Sequence, residues 1–204
     1  MKQDDRTEVL DLLEKFQPSD EKEKVDVLKI KNLITRHENI FSRSCLEGHL
    51  TASALVVNPQ TKMVLLHKHR KLNMWLQFGG HADGDSDMAF VALKEAREET
   101  NLSDLKFLIP DGQTKILPID IDLQTIPEME KAPEHYHLDF RYILLTSATE
   151  IPKPAAEESQ DLKFFSFAEI EGMDDKLDFA LRRLARKAEY LMSYKKDNLN
   201  RTNR

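Results

Sequence analysis

Glu95, Glu98 and Glu99 are the residues whose types and spacing point most directly to chemistry. On an α-helix they stand at i, i+3 and i+4. At about 100° per residue, Glu98 lies about −60° and Glu99 about +40° from Glu95, so three carboxylates share one sector. Like charges held that close repel, and a hard divalent cation with oxygen ligands is the natural counterion. Mg2+ suits such a set, because it takes few protein carboxylates and fills its other positions with water and substrate phosphate. A solvated Glu-Ala-Arg-Glu-Glu helix face is the plainer alternative. The preceding residues favour the metal reading. Gly79-Gly80 follows a short apolar segment, at a point where the backbone must turn tightly or approach a ligand. Asp83, Asp85 and Asp87 crowd the next loop, and Ser86 or Asp85 can cap a helix that begins near Met88.

That helix should run from Met88 to Thr100, with Ala89, Ala92, Leu93 and Ala96 in the sector beside the carboxylates, able to pack closely on a sheet. Upstream, Thr7 to Phe16 has helical spacing and ends before Pro18, and Asp20 with Glu23 reads as a capping box for a second helix to about His37. That second helix carries Val25, Leu28, Leu33 and Ile34. Strands are expected over Thr51 to Val57, Met63 to His67, Trp75 to Phe78, Thr114 to Ile121, Leu138 to Thr146 and Leu162 to Phe167. The acidic, proline-bearing stretch Glu150 to Gln160 reads as a loop, Ala168 as the start of a short helix, and Asp174 to Tyr194 as a long amphipathic helix. Strands interleaved with helices predict an α/β sandwich with a mixed sheet.

With 204 residues and 40% hydrophobic content, the chain can bury a core without disulfides, and its one cysteine, Cys45, permits no internal bridge. The N-terminus has no apolar signal region, and no apolar run approaches the roughly 20 residues of a membrane helix. We therefore expect a cytoplasmic protein without membrane contact. The net charge of −6 argues against a chain built to coat nucleic acid. Leu181 to Arg204 is locally basic, with eight Lys/Arg against two Asp/Glu, which reads as a solvated helix and tail or as a patch for polyanions.

The segment Gly79 to Leu102, GGHADGDSDMAFVALKEAREETNL, resembles the Nudix box, G-x5-E-x7-R-E-U-x-E-E-x-G-U with U apolar. Starting the pattern at Gly80 puts Glu95, Ala96, Glu98, Glu99 and Leu102 on matching positions. GHLTASALVV and HKHRKLNMWLQFGGH upstream also look like bacterial members, and the likeness spans about Gly48 to Ile170. Three positions depart. Ser86 stands where a glutamate belongs, with Asp85 beside it. Lys94 replaces an arginine and loses its planar fork. Asn101 replaces a glycine, but asparagine tolerates a left-handed helix end. The resemblance implies a Nudix-type α/β/α sandwich over residues 48–194, an N-terminal helical extension over 1–47 and a polar basic tail over 195–204.

It also implies a hydrolase that cleaves a phosphoanhydride bond in a nucleoside diphosphate joined to another moiety, such as a nucleotide sugar or ADP-ribose. The alternative is a Nudix-like nucleotide-binding or regulatory module with weak or no catalysis. Glu95, Glu98 and Glu99 would hold Mg2+, or Mn2+ in its place. The general base would be Glu98, or Glu157 or Glu158 in the acidic loop. Gly80 and His81 would line the site, and Arg70, Lys71 and Arg141 are candidate substrate contacts. His135, His137 and Asp139 line a pocket, bind metal or serve as hydrogen-bonded structural groups. Trp75 and Phe78 read as core. An isoprenoid diphosphate isomerase would need a cysteine at the site, and Cys45 precedes the first core strand. The N-terminal helices offer a surface for a homodimer.

Overall fold

The computed structural model describes residues 3–128, 132–152, 159–173, 177 and 179–201. Pro18 separates helix α1 (Gln3–Lys15) from helix α2 (Glu21–Arg36). Asp20 caps α2, its carboxylate accepting from Glu23 N at 2.7 Å. The return bond of a capping box is displaced by one residue, for Glu23 accepts from the Ser19 backbone and hydroxyl at 2.6 and 2.9 Å. Val27, Ile30, Leu33 and Ile34 form the buried stripe of α2, whereas Val25 and Leu28 face outward.

The chain folds as two compact units, the first built from residues 1–53, 79–95 and 117–142 and the second from 54–78, 96–116 and 143–204. Strand β1 (Gly48–Asn58), helix α3 (Met88–Thr100) and strand β7 (His135–Leu145) are continuous elements that contribute to both. In the first unit, β4 (Phe78–His81) pairs with β1, and β6 (Asp120–Ile126) runs antiparallel to β7 with Asp120 opposite Arg141 and Ile126 opposite His135. In the second, β2 (Met63–His69) is antiparallel to β1, to β3 (Trp75–Leu76) and to β8 (Ser159–Ser166), while β5 (Lys106–Phe107) is antiparallel to the end of β7. Tyr136 N donates to Glu47 O and Thr146 N to Val57 O, both at 3.0 Å. The equal offset makes β1 and β7 parallel and the sheet mixed, as expected.

Several boundaries moved for local reasons. The strand expected over Thr114 to Ile121 starts only at Asp120, because Pro118 has no N–H to offer a ladder, and it continues to Ile126. The short β5 was not anticipated. The segment from Trp75 is two strands, with pairing carried through Gly79-Gly80 to His81. A capping box of Ser166 and Glu169 opens helix α4 (Phe167–Glu171). Helix α5 spans Phe179–Arg201 and continues past Tyr194 into the stretch read as a tail, while the expected start at Asp174 lies outside the described residues. No helix among the described residues is long and apolar enough to cross a membrane.

The exposed edge of β6 is covered from within the first unit. The outward N–H groups of Ile121 and Leu123 donate to Glu23 and Asp26 of α2 at 3.1 and 3.4 Å. An open strand edge is a template for pairing with other chains, and here carboxylates close it.

In the second unit, burial against Phe78, with ring centroids 5.4 Å apart, holds the His67 imidazole neutral, its pKa lowered from 6.5 to about 4. Between those values the unfolded chain takes up a proton that the fold refuses, so stability is full above pH 6.5 and declines as pH falls through 4. His67→Asn should remove this dependence, worth roughly 3 kcal/mol across the window. Urea denaturation of both proteins at pH 7 and in the acid range reads it. Parallel decline of the two curves would refute it.

Candidate functional site

Helix α3 opens on Asp87, whose carboxylate accepts from Phe90 N at 2.9 Å. This corrects the expected cap: Asp85 instead accepts from Asp87 N at 3.0 Å and shapes the turn before the helix, and the Ser86 carbonyl accepts from Met88 N at 3.1 Å. Val91, Ala92 and Ala96 form the buried side. Asn101, at φ +57°, closes the helix in the left-handed region that asparagine tolerates. Along one sector of this helix Glu95 is half-buried, Glu98 exposed and Glu99 buried, the gradient expected of carboxylates at the rim of a packed face. Lys94, in the place of an arginine, reaches Glu95 at 3.3 Å.

The glycine pair has two different jobs. A Cβ on Gly79 would lie 2.4 Å from Ser53 Cβ and 2.7 Å from the Ala52 carbonyl, so β4 approaches β1 more closely than any side chain permits. A Cβ on Gly80 would lie 2.5 Å from Glu95 Cδ and 2.6 Å from Oε2. The Glu95 carboxylate is therefore seated directly over the Gly80 backbone, in a cradle that only glycine leaves open.

Strand alternation places a second, wholly polar stripe in the first unit. Thr51 and Ser53 of β1 donate to Asp139 at 3.1 and 2.7 Å. On β7, His135, His137, Asp139 and Arg141 point to one face at i, i+2 spacing, while Leu138 and Phe140 enter the apolar core on the other. Arg141 is fully buried and donates to Asp139 at 2.9 Å and to Asp122 at 3.0 Å, with Asp120 at 3.9 Å. Lys22 of α2 supplies a second cation to Asp122 at 2.8 Å. Burial still pushes the Asp139 carboxyl above its ordinary value, against the pull of Arg141. The candidate substrate contact Arg141 is thus an internal counterion, its fork turned inward by three carboxylates.

At the other end of the stripe four imidazoles meet. The rings of His49 and His81, His49 and His135, and His49 and His137 are each 5.0 Å apart, and those of His81 and His137 are 4.9 Å apart. They line a cavity of about 380 Å³ together with Arg43 and Cys45. Burial first, then neighbouring charge, lowers His81 to about 4 and His137 to about 3, and burial lowers His49. All three are neutral near pH 7. Asp83, held below the usual carboxylate range by a two-pronged contact from Arg43 at 2.9 and 2.7 Å, offsets the charge of that arginine at the rim.

Glu95 and Gly80 therefore meet, and His81 joins a histidine group that also includes His135 and His137. Arg70 and Lys71 project from the exposed turn between β2 and β3 in the second unit. Phe78 is fully buried, as a core residue is, whereas Trp75 is half-buried and lies edge-on against Phe165 at 4.8 Å. Glu157 and Glu158 lie outside the described residues. His49 escaped the sequence reading. The available signal was a histidine near the start of each of two strands, GHL and HYHL. Parallel pairing then brings those two starts to the same edge.

The model of the NUDIX domain matches residues 48–188. No curated protein matches the chain in sequence. Among solved structures, a hydrolase of the NUDIX family from Clostridium perfringens is 26% identical, covering 70% of this chain and 97% of its own, at a TM-score of 0.56. The NUDIX domain of Shewanella oneidensis NrtR, solved with ADP ribose, is 18% identical over 69% of this chain and 86% of its own, at 0.50. The dihydroneopterin triphosphate pyrophosphohydrolase of E. coli is 11% identical over 71% and 95%, at 0.50. The last two similarities concern the fold alone.

Proposed function

The chain belongs to the Nudix family, and on that premise we propose that it is a divalent-metal-dependent hydrolase that cleaves a phosphoanhydride bond of a nucleoside diphosphate derivative. ADP-ribose and nucleotide sugars are the leading substrate class. The observation that carries this reading is the seating of the Glu95 carboxylate over Gly80, at the head of a helix sector that continues through Glu98 and Glu99. An all-carboxylate donor set of this kind fits Mg2+ or Mn2+, hard ions that take oxygen ligands. Glu95, Glu98 and Glu99 would hold the ion. Bound there, it would supply charge neutralisation at the diphosphate and a more acidic water.

The chain's own residues supply the rest. Gly80 leaves room for Glu95 to face the ligand. Glu98, exposed at the rim, can take the proton of the attacking water, a role for which Glu157 and Glu158 are the alternatives. Water adds at phosphorus, the bridging P–O bond breaks, and two phosphorylated products leave. Arg70 and Lys71, both exposed, are available to a diphosphate as flexible cations.

A panel of ADP-ribose, nucleotide sugars, dinucleoside polyphosphates and nucleoside triphosphates, assayed with Mg2+ and with Mn2+, tests the reading. Turnover of a diphosphate derivative, abolished by chelator, is the expected result. Lys94, which lacks the planar fork of an arginine, favours the second reading of a nucleotide-binding module with weak catalysis. Tight binding of ADP-ribose without turnover under either metal would select it.

The two glycines should separate stability from activity. Gly79→Ala forces backbone of β4 and β1 apart and should cost about 2–3 kcal/mol. Gly80→Ala meets only the movable end of Glu95. It should leave the melting temperature nearly unchanged and raise the Mg2+ concentration needed for turnover. Denaturation midpoints and metal titrations check both, and equal destabilisation by the two changes would contradict the assignment.

A further inference from the structure

The histidine group at the end of the polar stripe is distinct in chemistry from the carboxylates of α3. His49, His135 and His137 present ring nitrogens that all lie within 4.8 Å of one another. Backbone carbonyls, which can only accept, stand beside two of the rings. His135 Nδ1 is 2.8 Å from Pro133 O, and His49 Nδ1 is 3.5 Å from Cys45 O. A proton on each Nδ1 leaves the lone pair on Nε2, and a carbonyl behind the ring is the usual support of a metal-bound imidazole. The decisive atom is His49 Nε2, which is buried and has no hydrogen-bond partner. A buried acceptor left unmatched costs free energy unless something occupies it.

We propose that His49, His135 and His137 form a second metal site, one that takes a transition-metal ion of the zinc class. Imidazole suits Zn2+ and its neighbours, whereas Mg2+ prefers carboxylate and water. Tetrahedral zinc needs Zn–N distances of about 2.0–2.1 Å and hence nitrogens about 3.4 Å apart, so the three rings would draw closer on binding. Three protein ligands leave a fourth position. It faces the cavity of about 380 Å³ that the same histidines line, so an oxygen ligand from solvent or from a bound molecule can complete the shell. His81 borders this position, with its ring 5.0 Å from His49 and 4.9 Å from His137. Arg43 at the cavity wall is already engaged by Asp83, which limits its repulsion of a cation.

The test uses the full chain, stripped with chelator, saturated with Mg2+ to fill the carboxylate set, and then titrated with Zn2+. One Zn2+ per chain should be retained, and its X-ray absorption spectrum should show an imidazole shell with Zn–N near about 2.0–2.1 Å. His137→Gln should weaken retention by at least about tenfold, while Glu98→Gln leaves it unchanged. Should His137→Gln fail to fold, the absorption spectrum of the unmodified protein decides alone. No retained zinc, an oxygen-only shell, or retention that disappears in Glu98→Gln overturns the proposal. None of these outcomes bears on whether the Mg2+-dependent hydrolysis occurs.

Discussion

Glu98→Gln is expected to lower turnover of the best diphosphate substrate by at least about 100-fold, the lower bound for losing a general base. Glu98 is exposed on α3, so the change opens no cavity, and a melting temperature measured beside the rate separates lost chemistry from lost fold. The two roles that Glu98 can play leave different traces. Loss of a metal ligand raises the Mg2+ requirement, and excess Mg2+ restores much of the rate. Loss of a base leaves kcat low at saturating Mg2+ and removes the acidic limb of the pH–rate profile. Glu157→Gln and Glu158→Gln, assayed beside it, decide which carboxylate takes the proton. Full activity in Glu98→Gln would remove this residue from the site altogether.

Arg141→Met should be the most destabilising single change of this group, at about 3–5 kcal/mol, the range for breaking a buried ion pair. The side chain is fully buried, and methionine roughly keeps its volume. The cost arises because Asp120, Asp122 and Asp139, all nearly inaccessible, lose their central cation. Lys22 remains on Asp122, but its own side chain is partly exposed and its charge is better screened. Asp122→Asn in the Arg141→Met background should therefore cost less than in the native protein. A double-mutant cycle in urea isolates that coupling. A loss below about 1 kcal/mol for Arg141→Met would mean that the network is not what holds β6 to β7.

How far the residues alone reach is visible in Asp87, Arg141 and His49. Helical period placed α3 at its observed bounds, Met88–Thr100, and put the three glutamates in one sector. Its cap was read one or two residues early, because three aspartates in five residues offer nearly equal capping groups and only the loop path selects Asp87. Alternation identified β7 but not which of its faces was polar and buried. Arg141 reads as a substrate contact until Asp120 and Asp122 of β6 are brought opposite it.

What the amino-acid order determined by itself is local: the glycine pair, the carboxylate spacing and the strand and helix periods that mark a Nudix domain. These depend on neighbours within a few residues, where backbone geometry is nearly fixed. Which distant segments share an edge was decided only by tertiary pairing. Parallel β1 and β7 bring His49 beside His135 and His137, across more than eighty residues of chain. No local period encodes such a meeting, because it depends on strand direction and register, which the whole sheet sets.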